Sequence, residues 1–234
     1  MDNLQAQFYQ AFIYKNRWIM YAKGLRVSLL LTLGALALGV VLGIIVAVIR
    51  TLHDQNPRGR NWIINILNTF CKIYTTVIRG TPMFVQLLIF GFVIFASSRN
   101  MMGAAMLSLG INSGAYVSEI IRGGIMSIDP GQMEAGRSLG LGYTQVMRSV
   151  VIPQAIKNIL PALGNELITL FKDTSLVAAI GVTDLTKAAM HIQGLTYQAF
   201  MPYLGAALMY LIIVLILTWL QGILERRLRR SDRI

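Results

Sequence analysis

The sequence predicts an all-α integral membrane protein with about five transmembrane helices. Three observations carry that expectation. Of 234 residues, 55% are hydrophobic and only 13% are Asp, Glu, Lys or Arg, against about 25% charged residues in soluble domains. Mean hydropathy is +0.60. Charge-free runs of spanning length recur along the chain, separated by basic stretches. The shortage of charge argues against an ordinary soluble enzyme and against a disordered chain.

The elements follow in order. Residues 1–24 read as an interfacial segment carrying Lys15, Arg17 and Lys23. Residues 27–49 form a 23-residue uncharged run ended by Arg50. It is too long for a signal-peptide core and has no small-residue cleavage site, so it reads as an uncleaved first span. Gly34, Gly39 and Gly43 give it small-xxx-small spacing, which permits close helix packing. Residues 50–60 are a polar, basic loop, and 61–79 a half-apolar helix near the interface that leads into a second span. That span is the 19-residue run 80–98, with Pro82 placed for its first turn. A third, softer run covers 100–118 and continues to Arg122. The fourth, 152–182, is apolar but interrupted by Pro153, Lys157, Pro161, Glu166, Lys172 and Asp173. A connector at 184–202 leads to the last run, 203–224, of 22 residues, and a tail at 226–234 rich in arginine. Five spans of about 20 residues each leave no room for a soluble catalytic domain, and no repeat at a fixed period is visible.

Lys and Arg weigh fourteen to six toward the side holding the loops 50–79 and 122–157 and the tail. The positive-inside rule then puts the carboxyl terminus in the cytoplasm; the basic amino-terminal segment runs against it. Read by position, the net charge of +11 is membrane orientation and not a nucleic-acid footprint. The lone Cys71 excludes a disulfide framework, and His53 and His191 lack metal-ligand spacing. No catalytic residue, metal site or cofactor is expected.

Residues 128–153 are too polar to span and too structured for a linker. Asp129 caps a helix with Pro130 in its first turn, Gly140 stops it with Gly142 close behind, and Thr144 caps a second short helix running to Val151 before Pro153. Within this stretch Glu134-Ala135-Gly136, three residues, Gly140, nine residues and Val150-Val151-Ile152-Pro153 resemble the EAA loop of ATP-binding-cassette (ABC) importer permeases. Gly136 stands for the motif's second Ala, Val150 for its Ile and Ile152 for its Leu. Arg79-Gly80-Thr81-Pro82 with Gln86, the stretch from Ser113 to Glu119, Arg122-Gly123-Gly124-Ile125, and Asn165-Glu166-Leu167-Ile168 leading to Lys172-Asp173 are similar to the bacterial polar amino-acid branch of that family. The match covers about residues 20–225.

The resemblance implies one permease domain over 25–225 in a bacterial inner membrane, with a cytoplasmic coupling loop at 128–153. It implies a second permease subunit, identical or sibling, a cytoplasmic ABC ATPase dimer and an extracytoplasmic amino-acid-binding protein. Glu134, Ala135, Gly136 and Gly140 are then the ATPase-coupling residues. ATP hydrolysis belongs to the separate ATPase, and this chain has no phosphate-binding GxxxxGK[ST] loop.

Ionisable groups within spans face a cavity or a partner, because burying them in hydrocarbon is costly. Asn112, Tyr116 and Glu119 are spaced i, i+4, i+7 on one helical face, as are Glu166, Thr169 and Asp173 at i, i+3, i+7. These faces, with Asn165 and Gln86, are the candidate substrate ligands, and Glu166 is foremost because the family places a carboxylate there. It favours a cationic amino acid. Each candidate also has a structural reading: Glu119 as an ion pair with Arg122, Lys172 and Asp173 as structural ion pairs, Glu166 likewise. The competing function is an ion-coupled secondary transporter using Glu166 and Asp173, although such folds usually carry internal repeats. A membrane-bound enzyme lacks any nucleophile–base pair.

Overall fold

A computed structural model describes residues 4–55 and 62–230; residues 56–61 of the expected polar loop and 231–234 of the basic tail lie outside the described residues. The described chain is helical apart from short turns, with no strand among the described residues. The helices are α1 (Leu4–Phe8), α2 (Trp18–Gln55), α3 (Trp62–Gly80), α4 (Met83–Ile89), α5 (Met101–Met126), α6 (Pro130–Ser138), α7 (Tyr143–Val146), α8 (Ile152–Asp173), α9 (Leu185–Thr196) and α10 (Phe200–Arg230).

Helix α2 has 38 residues, about 57 Å at 1.5 Å per residue. The uncharged run 27–49 is only its middle. Charge bounds the span but not the helix: Arg50 is paired with Glu119, and the exposed Lys23 and Arg26 have stems long enough to carry their heads toward water. For the same reason α10 continues through Arg226 and Arg227 to Arg230, so the basic tail begins as helix.

By length and composition α2 and α10 are each able to cross a membrane, and α3 with α4 supplies a third span if the bent pair is counted as one. The expected separate span at 80–98 is corrected. Helix α4 and the π-helical turn Phe90–Ile94 that extends it cover only about 18 Å. Pro82 sits outside α4 as its N-cap, in extended conformation at ψ 132°, and so breaks the chain instead of filling a first turn. Helices α5 and α8 have 26 and 22 residues. They are long enough, but Asn112, Ser113 and Glu119 in one and Lys157, Glu166 and Lys172 in the other dilute their apolarity. The expectation of five spans rests on length for these two.

The chain divides into two compact units. The first comprises 1–37, 81–110 and 167–218. One of its cores gathers Leu31, Ala35, Leu87, Leu109, Val177 and Ile180, and the other Tyr21, Leu185, Ala189, Ile192 and Ala206. Asp184 is fully buried here and caps α9, accepting from the amides of Thr186 (2.9 Å) and Lys187 (2.8 Å) and from the Tyr210 hydroxyl (3.1 Å).

The second unit comprises 38–80, 111–166 and 219–234. The small-residue spacing of α2 acts here: a Cβ on Gly39 would lie 2.9 Å from Ser113 Cβ, and one on Gly43 2.5 Å from Val117 Cγ1. Helix α2 thus meets α5 nearly backbone to backbone. Tyr74 of α3 ties in by donating its hydroxyl to the Ile111 carbonyl at 2.5 Å.

Candidate functional site

The loop at 128–153 forms largely as its local signals direct. Asp129 accepts the Gly131 amide at 2.8 Å and Pro130 occupies the first position of α6. Gly140 has φ +82°, a left-handed turn that suits glycine, and a Cβ there would meet nothing within 4 Å. Two expectations are corrected. Gly142, in extended conformation, caps α7 in place of Thr144. The second short helix does not stop before Pro153: it widens into a π-helical turn, Met147–Val151, and runs directly into α8. The Pro153 ring would clash with the carbonyl four residues back, and that carbonyl, of Ser149, lies inside the widened turn, where the backbone is already displaced.

Within the loop the four coupling residues divide. Glu134, Ala135 and Gly140 are exposed, whereas Gly136 is buried. A Cβ on Gly136 would lie 2.7 Å from Val146 Cγ2, so α6 and α7 touch at this point. A cleft of about 420 Å³ is lined by Glu134 and Arg137 of α6, Tyr143 of α7, Thr51 and Asp54 of α2 and Arg122 of α5. Burial pushes the Tyr143 phenol up from its ordinary range, so it remains protonated.

The second candidate region joins α5 and α8. Ser113 is fully buried and donates its hydroxyl to Glu166 Oε1 at 2.7 Å. Asn112 is buried beside it, and Glu166 is half-buried. Asn165 is exposed, its Oδ1 accepting from Gln221 Nε2 of α10 at 3.0 Å. Thr169 lies on the exposed surface of α8. Gln86, in the first unit, is buried and donates to the Thr81 carbonyl at 3.1 Å and hydroxyl at 2.7 Å. It is thus engaged in holding the turn before α4.

Glu119 is surrounded by arginines. Its Oε1 accepts from Arg50 Nη1 and lies 3.8 Å from Arg79 Nη1, while Oε2 is 3.4 Å from Arg122 Nε. The ion pair expected with Arg122 is present, with two further partners that its spacing did not announce. Tyr116 faces outward with the Arg79 guanidinium 5.4 Å above its ring. Lys172 is exposed and Asp173 half-buried, and neither enters an ion pair within 4.0 Å among the described residues.

Sequence reasoning missed Ser113, Arg50 and Asp54. Ser113 was legible as the neighbour of Asn112 within the quoted motif stretch. Arg50 was read as the end of a span, and its place beside Glu119, 69 residues away, has no local signal.

Comparison with known proteins identifies the family. Residues 39–230 match the family described as binding-protein-dependent transport system inner membrane component. The chain is 38% identical over 213 residues to the arginine transport system permease protein ArtQ of Bacillus subtilis (strain 168), covering 90% of this chain and 93% of that one. It is 36% identical to the glutamine transport system permease protein GlnP of Escherichia coli (strain K12), covering 88% and 92%. A crystal structure of an amino acid ABC transporter with histidines superposes with a TM-score of 0.80 at 42% identity, over 89% of this chain and 94% of that one. The inward facing MetNI methionine ABC transporter shares the fold at 22% identity, with a TM-score of 0.74 over 90% and 97%. The chain belongs to the family of binding-protein-dependent transport system inner membrane components.

Proposed function

We propose that this chain is the permease subunit of an ABC importer for polar L-amino acids, the basic ones foremost. Two permease subunits, identical or sibling, form the pathway. A binding protein delivers substrate from outside, and a cytoplasmic ATPase dimer engages the loop at 128–153. The carboxyl terminus lies in the cytoplasm. The observation that carries the coupling role is the loop itself. A nine-residue helix capped by Asp129 is braced through Gly136 on the fully buried Val146, leaving Glu134 and Ala135 on the surface for a partner. A rigid hairpin transmits displacement that a loose loop would absorb.

The basic lean is supported by the relative named for arginine, the structure with histidines and a half-buried carboxylate, while the relatives named for glutamine support polar amino acids more broadly. Glu166 is oriented by Ser113 at 2.7 Å, and a carboxylate is the acceptor that an ammonium or guanidinium group requires. Asn112 precedes Ser113 in α5 and Asn165 precedes Glu166 in α8. No observation favours the ion-gradient alternative.

The test is uptake of labelled amino acids into proteoliposomes holding this chain, its ATPase and its binding protein, with Glu166→Gln beside the native chain. Removing the charge from a charged hydrogen bond costs about 1.5–3 kcal/mol. Uptake of a basic amino acid at limiting concentration is therefore expected to fall by about tenfold or more while ATPase activity survives. Unchanged uptake removes Glu166 from the substrate path and moves selectivity to the binding protein.

A further inference from the structure

Glu119 stands where three helices of the second unit meet through charge. Arg50 of α2 and Arg122 of α5 donate to its two oxygens, and Arg79, near the end of α3, approaches at 3.8 Å. Arg122 continues the chain of contacts, its Nη1 reaching Asp54 Oδ2 of α2 at 3.3 Å. The centre of the cluster is withdrawn from solvent, with the side chains of Arg50 and Glu119 only 12% and 22% exposed, while Arg79 and Asp54 at its rim are 44% and 38% exposed. Along α2 the close contacts at Gly39 and Gly43 come first, then Arg50, then Asp54. There the helices open onto the cleft whose other wall carries Glu134 and Arg137 of α6.

We propose that Glu119 is a positioning residue for energy coupling: a carboxylate pin that joins α2, α3 and α5 beside the coupling loop. Displacement of α6 is thereby delivered to three helices together. The proposal rests on the reading of 128–153 as the coupling loop. Its physical basis is the asymmetry of partly buried ion pairs. Neutralising the one carboxylate leaves Arg50, Arg79 and Arg122 to repel one another, with Asp54 the other carboxylate paired within the cluster among the described residues. Glutamine keeps the shape and an acceptor oxygen, so packing survives, but the helix ends are no longer drawn to one point. The role differs from substrate binding, because both Glu119 oxygens already face arginines.

The experiment uses the full assembly of this chain, its ATPase and its binding protein in proteoliposomes, and reads ATP hydrolysed per amino acid accumulated. Coupling between sites is commonly worth about 5–150-fold. Glu119→Gln is expected to raise the ratio by about tenfold, with assembled complex and basal ATPase rate near native. Glu119→Asp, which keeps the charge, restores most of the coupling, and Arg50→Gln reproduces the defect from the other side of the pair. An unchanged ratio in Glu119→Gln overturns the proposal. So does a parallel loss of transport and ATPase in proportion to folded complex, or failure of both neutral variants to assemble, since either makes the cluster merely structural. A native chain that does not assemble with its ATPase instead overturns the coupling-loop reading itself, and that is established before any variant is compared.

Discussion

Gly136→Ala restores the alanine of the family motif, yet here it is expected to harm the loop. The added Cβ would lie 2.7 Å and 2.9 Å from the two γ-methyls of Val146 and 3.4 Å from its Cβ. Carbon atoms prefer about 3.5–4.0 Å. Val146 is fully buried, and its branched side chain has no flexible end to withdraw. Overpacking of this kind costs about 1–3 kcal/mol, and alanine returns about 1 kcal/mol of helix propensity over glycine. The net is roughly 1 kcal/mol against the α6–α7 contact. Val146→Ala alone removes two buried methyls, about 2 kcal/mol by transfer and cavity terms. In the double variant the methyl added at position 136 enters the vacated space, so the combined cost should be about 1 kcal/mol instead of an additive total of roughly 3. Amide hydrogen exchange across 132–146 in the detergent-solubilised or bilayer-embedded chain reads this directly, a factor of about ten per 1.4 kcal/mol. Faster exchange in Gly136→Ala, with the double variant better protected than Val146→Ala plus Gly136→Ala would sum to, supports the packing argument. Additive losses, or no change in Gly136→Ala, refute it.

Two further outcomes test neighbouring features. Gly140→Ala meets no atoms within 4 Å but holds φ +82°. Only left-handed strain of about 1–2 kcal/mol applies, so a thermal melt should show a modest loss with the protein still folded, while coupled transport falls because the turn of the coupling loop is displaced. Gly24→Ala is more severe, since its Cβ would sit 2.5 Å from the carbonyl oxygen of Asp184 and 2.9 Å from Leu185 Cα, which are backbone atoms that cannot rotate away. It is expected to cost at least about 2 kcal/mol by overpacking, seen as loss of monodisperse protein on size-exclusion chromatography. Near-native yield would disprove the close approach of α2 to the α9 cap.

What the sequence made legible was local or periodic. Asp129, Pro130 and Gly140 each act through bonds within a few residues, and the loop formed around them as their chemistry directs. The spacing of Gly39 and Gly43 likewise marked the face of α2 that meets α5. What stayed hidden spans distance or continuity. Ser113 and Glu166 are 53 residues apart, and Arg50 and Glu119 lie further apart still. Nothing in either local stretch names its partner. Hydropathy also measured spans where the structure measures helices: α2 outruns its uncharged core at both ends, and the apolar run after Gly80 yields only a short helix. Thr144 was chosen as a cap by residue type, but the extended backbone needed at that position falls on Gly142.

The helical backbone that begins at Tyr143 continues through Pro153 to Glu166 and beyond, so the loop's second arm and that carboxylate belong to one rod with a fixed phase. At about 100° and 1.5 Å per residue, its length and its facing direction are set together. Inserting a single residue between Val151 and Glu166 would swing the carboxylate about 100° off Ser113. Inserting four would return it to nearly the same bearing about 6 Å further along. The rod works as a keyed shaft: the distance from loop to carboxylate is free to vary only in whole turns.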